Sequence, residues 1–250
     1  MELFQFRHSA FCEKVHLLLA AKELSYSVND VTPGVGQIEL FQLTGQRQVP
    51  VLRDGEQLIA DSSAIAMHLE SKHPEPALLP SDVAERAQVL LLEDWADTAL
   101  ASSARMALLQ GAAEDPVLRG ALLPDATPSL LRDLIGAMPG DLLGGVGQLL
   151  PMGRDSLIFS LEQLLALLEQ RPYLVGERPT VADVAVAPQL YLLRFPSVAG
   201  PQLASRGVAG VADQPRFEPL FQWRDELYRT LGRRPDGSEA SAPSEAVPVG

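Results

Sequence analysis

Over residues 1–75 the apolar positions alternate between two spacings, which predicts short strands interleaved with short helices. Glu2–Phe6 is a short run of β-forming residues. Residues 11–23 place Phe11, Val15 and Leu18 on one stripe and Cys12, Val15 and Leu19 on the next, as a helix does. Tyr26, Val28 and Val31 suggest a second strand, and 35–43 a weak helix behind the breaker pair Pro33-Gly34. Val49–Leu52 and Glu56–Ala60 flank Asp54-Gly55, a hairpin signal. Residues 62–72 read as a helix with Pro74 and Pro76 beyond its end. The expected order is β-α-β-α-β-β-α.

Beyond Pro80 the strand signals vanish. Residues 83–110, 156–170, 181–194 and 217–231 carry helical spacing. The shift falls in KHPEPALLPSD and predicts two domains, 1–76 and 83–234, the second all-helical. The stretch 111–155 is rich in Gly and Pro, with short helices expected at Leu130–Ile135 and Leu142–Leu150, and it reads as a long loop or lid. Thr180 and Asp183 stand at the spacing of a capping box before VAVAPQLYLL, which gives Asp183 a structural role. The tail 235–250, rich in Pro, Ser, Ala and Glu, has little to bury and is expected to be disordered.

Composition narrows the function. A hydrophobic fraction of 46% over 250 residues suffices for a sizeable core. The net charge of −12 opposes binding to nucleic acid or to an anionic membrane. A lone cysteine cannot close an internal disulfide, which fits a reducing compartment. The most apolar long window, 134–153, is interrupted by Asp141, prolines and glycines, and the N-terminus has no secretory pattern. A soluble cytoplasmic protein is expected.

The chemistry concentrates in three places. HSAFCEKV opens the first helix with Ser9 and Cys12; GQRQVPVLRDG holds Arg47, Gln48, Val49 and Pro50; LIADSSAIAMHLE opens the third helix with Asp61 and Ser62. A helix N-terminus suits an anion such as a thiolate. Lowering a thiol pKa from ~8.5 by two units takes roughly 2.7 kcal/mol, and one hydroxyl hydrogen bond to a charged acceptor supplies ~1.5–3 kcal/mol. Each residue also has a plainer role: Ser9 and Asp61-Ser62 as helix caps, Val49-Pro50 as a strand edge, Arg47 as a solvated surface group. Cys12 lies a turn deeper than Ser9, where apolar surroundings raise a thiol pKa. Cys12 and His16 share metal-ligand spacing, yet two ligands fall short of the usual four, and no metal is expected. His8 and Ser9 are neighbours whose side chains point apart, and His68 and His73 read as helix-surface residues.

Together with the capping box, these segments resemble the glutathione S-transferase superfamily to about residue 234. The resemblance implies a thioredoxin-like domain followed by an all-α helical bundle, with glutathione as co-substrate. It implies that the Val49–Pro50 bond is cis and that Val49 pairs with the cysteinyl unit of glutathione. Asp61 and Ser62 would hold the γ-glutamyl end, Arg47 and Gln48 the glycyl carboxylate, and Ser9 the thiolate. An apolar electrophile would lie near Leu91, Trp95, Met106 and parts of 111–155, and two copies would form a homodimer. Two alternatives stay open: a carrier or scaffold of the same fold, and a glutathione-linked thiol transferase working through Cys12.

Overall fold

The computed structural model describes residues 1–31, 35–123, 127, 129–137 and 151–234. The helix expected at Leu142–Leu150 and the tail 235–250 lie outside the described residues. The N-terminal part runs β1 (Glu2–Gln5), α1 (Ala10–Ala21), β2 (Ser27–Asp30), α2 (Val35–Thr44), β3 (Val51–Asp54), β4 (Gln57–Ala60) and α3 (Ser62–Lys72). The sheet order is β2-β1-β3-β4, with β1 and β2 parallel and the other pairs antiparallel. Gly55 turns the β3–β4 hairpin at φ +62°, where a side chain would be strained.

The rest of the described chain is helical: α4 (Val83–Trp95), α5 (Ala101–Glu114), α6 (Pro116–Ala121), α7 (Ser129–Ala137), α8 (Pro151–Leu168), α9 (Val181–Leu193) and α10 (Glu218–Thr230). The fold is therefore a thioredoxin-like four-stranded unit followed by a helical region. The sequence pattern ran 83–110 as one helix. Here it is broken by a π-helical turn, Ala96–Leu100, where the N–H of Ala101 bonds to the carbonyl of Ala96. Helix α6 escaped the pattern, although Asp115 caps it and Pro116 opens it.

One apolar core runs through both parts, joining Leu3, Val15 and Ile65 to Val89, Val184 and Phe221. Its centre is α9, buried along its whole length and packed against α1. Asp183 accepts hydrogen bonds from the Thr180 N–H (2.8 Å) and hydroxyl (2.7 Å) and from the Leu174 N–H (2.8 Å). These satisfy donors at a helix start that water cannot reach. Burial nonetheless holds the Asp183 carboxyl above the usual range. No described helix is long and apolar enough to cross a membrane.

Candidate active site

Strand register brings the separate segments together. Phe4 pairs with Val51, and Val51 pairs with Ala60, so one row crosses β1, β3 and β4. The chain leaves β1 from that row toward Ser9, enters β3 there from Val49-Pro50, and leaves β4 there toward Asp61-Ser62. The three motifs, 40 or more positions apart at the extremes, thus emerge from one end of the sheet.

Ser9 is the N-cap of α1, and its hydroxyl oxygen accepts from the Cys12 N–H at 3.4 Å. A hydroxyl both accepts and donates, and the Ser9 side chain also acts on the Cys12 thiol. Cys12 is buried to 1% exposure, and that burial pushes its thiol up to about 12, outweighing the lowering effect of Ser9. Of the two catalytic candidates, Ser9 is half-buried at the helix tip and Cys12 is enclosed in the core. A thiol held protonated and covered is a poor nucleophile, which counts against a catalytic role for Cys12.

The Val49–Pro50 bond is cis. Asp61 caps α3: one carboxylate oxygen accepts from the N–H groups of Ser63 (2.9 Å) and Ala64 (3.0 Å). Its backbone is held at φ +77°, a costly conformation that short polar residues tolerate best. Asp61 is exposed, whereas Ser62 is buried. Arg47 and Gln48 are exposed on the loop before β3, and the Arg47 guanidinium stacks 5.0 Å over the Phe41 ring.

Behind this row lies a buried charge cluster that local patterns did not show. Lys14 Nζ donates to Glu93 Oε1 (2.5 Å), Asp97 Oδ2 (2.6 Å) and Ser63 Oγ (3.2 Å). The Ser63 hydroxyl donates to Glu93 Oε1 at 2.5 Å. The cluster ties α1 to α3 and to the α4–π junction, and it fixes the residue next to Ser62. Burial holds the Asp97 carboxyl above its usual range despite Lys14, and its Oδ1 has no hydrogen-bond partner among the described residues. The available signal was Lys14 standing inside an apolar helix, with Glu93 and Asp97 four apart on another.

The remaining candidates are placed as follows. His16 is buried, with its ring nitrogens 2.6 Å from the Tyr26 hydroxyl and 2.5 Å from Gln5 Oε1. His8 meets the Tyr191 hydroxyl at 2.7 Å. His68 is not a free surface group: it is half-buried and pairs with Asp54 at 2.8 Å. His73 is also half-buried, with a covered ring nitrogen. Leu91 is 71% exposed on α4. Met106 borders a small apolar cavity between α5 and α8, and Trp95 packs on the core. An open cleft of about 540 Å³ lies beside the loop that carries Ser9, between Arg7-His8, α6–α7 and the turn Ala199–Leu203.

Two family models match this chain: the N-terminal domain of glutathione S-transferase over residues 3–77 and its C-terminal domain over 148–226. The chain belongs to the glutathione S-transferase superfamily. Within it, glutathione S-transferase Z2 of Arabidopsis thaliana is 36% identical over 90 residues, 35% of this chain and 40% of that one. The match thus spans less than half the length of such zeta-class relatives. A maleylpyruvate isomerase from Ralstonia sp is 29% identical over 76% of this chain and 81% of its own. Among solved structures, a β-etherase from Sphingobium sp. strain SYK-6 superposes with a TM-score of 0.66 at 20% identity, over 91% of this chain and 94% of that one, which shows the fold.

Proposed function

We propose that this chain is a glutathione transferase that uses Ser9 to hold the thiolate of glutathione for attack on an apolar electrophile. The observation that carries the reading is the row Phe4–Val51–Ala60, which directs Ser9, Val49-Pro50 and Asp61-Ser62 to one end of the sheet. In this reading residues 1–76 form the glutathione-binding domain and 83–234 a helical domain that shapes the electrophile cleft.

Val49 offers its backbone N–H and C=O to the cysteinyl unit, as in strand addition. Asp61 spends one carboxylate oxygen on the α3 cap. The other is left for the γ-glutamyl ammonium. Ser62 is buried, so its backbone N–H at the helix start meets the γ-glutamyl α-carboxylate. Arg47 and Gln48, exposed on the adjoining loop, meet the glycyl carboxylate. The thiol sits at the N-terminus of α1 and loses its proton to solvent. Ser9 donates its O–H to the sulfur. With a free thiol near pKa 8.5, a hydroxyl bond of ~1.5–3 kcal/mol plus the helix dipole is enough for roughly two units. The thiolate then forms a C–S bond, displacing a leaving group or adding to a double bond. Reversible addition is the step by which an isomerase of this family can work, and the named activity of the Ralstonia relative supports that variant.

Val83 and Leu91 stay exposed on α4, which supports a homodimer that buries this face. A cytoplasmic location fits the lone, unpaired cysteine. The test is glutathione conjugation and glutathione-dependent thiol transfer, measured together for wild type, Ser9→Ala and Cys12→Ala. Loss of conjugation in Ser9→Ala alone supports the reading. Loss of activity in Cys12→Ala alone overturns it in favour of a thiol transferase. A wild type that neither binds nor turns over glutathione overturns it in favour of a carrier or scaffold.

A further inference from the structure

Glu13 lies in the first turn of α1, and its N–H bonds to the Ser9 carbonyl at 2.9 Å. Its carboxylate is buried, one turn from the position where the proposed thiolate forms. Arg233, 220 positions away, meets it with both arms of the guanidinium: Nε to Oε1 at 2.8 Å and Nη2 to Oε2 at 2.9 Å. Both side chains are almost fully covered, at 5% and 7% exposure. The end of α10 aims Arg233: Gly232 turns at φ +73°, and the Arg233 N–H bonds to the Tyr228 carbonyl at 2.8 Å. Ser9, Cys12, Glu13 and Arg233 line the same small polar cavity of about 20 Å³.

A buried carboxylate this close to a thiolate opposes it, because charges interact strongly in low dielectric. The Glu13 charge acts in that direction on the neighbouring Cys12 thiol. A bidentate guanidinium turns the carboxylate into a neutral pair. Resting on the glutathione-transferase reading above, we propose that Arg233 is a positioning residue for the reaction: it neutralises Glu13, and so keeps the first turn of α1 favourable to the glutathione thiolate at Ser9. Among the described residues, other titratable groups facing this region include Arg7 and His8 on the same loop, His16 on α1, Asp30 on β2, Tyr191 on α9, and Arg224 and Tyr228 on α10. Arg233 is the one that contacts Glu13 through both oxygens among the described residues.

The test is the thiol pKa of enzyme-bound glutathione, read from the ultraviolet absorbance of the thiolate during a pH titration. Arg233→Met removes the cation that offsets Glu13 and is expected to raise that pKa by about one unit, a tenfold smaller thiolate fraction below the pKa. Glu13→Gln removes the opposing charge and keeps Arg233, and is expected to lower the pKa. The double variant is expected to return close to wild type. A residue that acted only by holding the fold would change stability in all three without opposite shifts in pKa. If Arg233→Met does not fold, Glu13→Gln decides alone. An unchanged or raised pKa in Glu13→Gln, or an unchanged one in Arg233→Met, overturns the inference and leaves the transferase reading standing. Failure of wild type to bind glutathione overturns both.

Discussion

The Ser9 hydroxyl oxygen accepts the backbone N–H of Cys12 at 3.4 Å, so the cap that begins α1 is tied to the main chain of the residue that carries the buried thiol. The two residues are separable by substitution. Ser9→Ala removes the proposed donor to the thiolate, worth ~1.5–3 kcal/mol, and conjugation near neutral pH is expected to fall roughly 10- to 100-fold. Cys12→Ala is expected to keep conjugation within a few-fold while lowering stability by about 1–2 kcal/mol through the space left by the sulfur. Initial-rate kinetics alongside urea denaturation check both. Equal losses of activity in the two variants would refute the division of roles.

Asp61 both caps α3 and is proposed to hold the γ-glutamyl ammonium. Asp61→Asn keeps an oxygen for the cap and a residue type that tolerates positive φ. Stability is expected to stay within about 0.5 kcal/mol, while glutathione affinity falls about tenfold or more as the charged hydrogen bond is lost. Calorimetric titration of glutathione reads the affinity. Unchanged binding would leave Asp61 as a cap alone.

Lys14 offsets two carboxylates, the buried Glu93 and the half-buried Asp97. Lys14→Met leaves Glu93 and Asp97 without their cation and is expected to cost about 3–5 kcal/mol. Adding Glu93→Gln and Asp97→Asn to that variant is expected to restore a large part of the loss, since the uncompensated charge is then gone. The urea midpoints of the single and triple variants measure this, and a Lys14→Met midpoint equal to wild type would contradict it.

Asp97 predicts a pH dependence of stability. Burial raises its carboxyl in the folded protein, so the native state holds this proton more tightly than the unfolded chain. The stabilisation linked to it is full below the unfolded value of ~3.9 and is lost as pH rises through the raised native pKa. The difference in unfolding free energy between wild type and Asp97→Asn should therefore favour wild type most at the acid end. It should decline with rising pH and flatten above the native pKa. A difference independent of pH would mean that burial does not perturb this group.

The parts of the site legible in sequence are those fixed by their near neighbours. Ser9 and Asp61 announce themselves as caps, Val49-Pro50 as a constrained peptide, and Asp54-Gly55 as the turn that sets the β3–β4 register. The contacts that were not legible join residues far apart: Lys14 to Glu93 and Asp97 across 79 and 83 positions, and Glu13 to Arg233 across 220. No local periodicity encodes such pairs. His68 has the spacing of a surface residue because its partner, Asp54, belongs to a different element. Leu91 misled for the opposite reason: an apolar side chain on an amphipathic helix is not always turned inward. The break at Ala96–Leu100 was hidden because apolar residues continue through it at near-helical spacing.

That break has a geometric consequence. A π-helical turn holds one residue more than the surrounding helix, and each residue advances an α-helix by about 100°. The segments Val83–Trp95 and Ala101–Glu114 are thus two wheels on one axle, rotated out of phase. Glu93 answers to the first wheel's phase and Ala104, in the core, to the second's. Removing a single residue between them would leave an unbroken rod of correct composition whose two faces could no longer both point home.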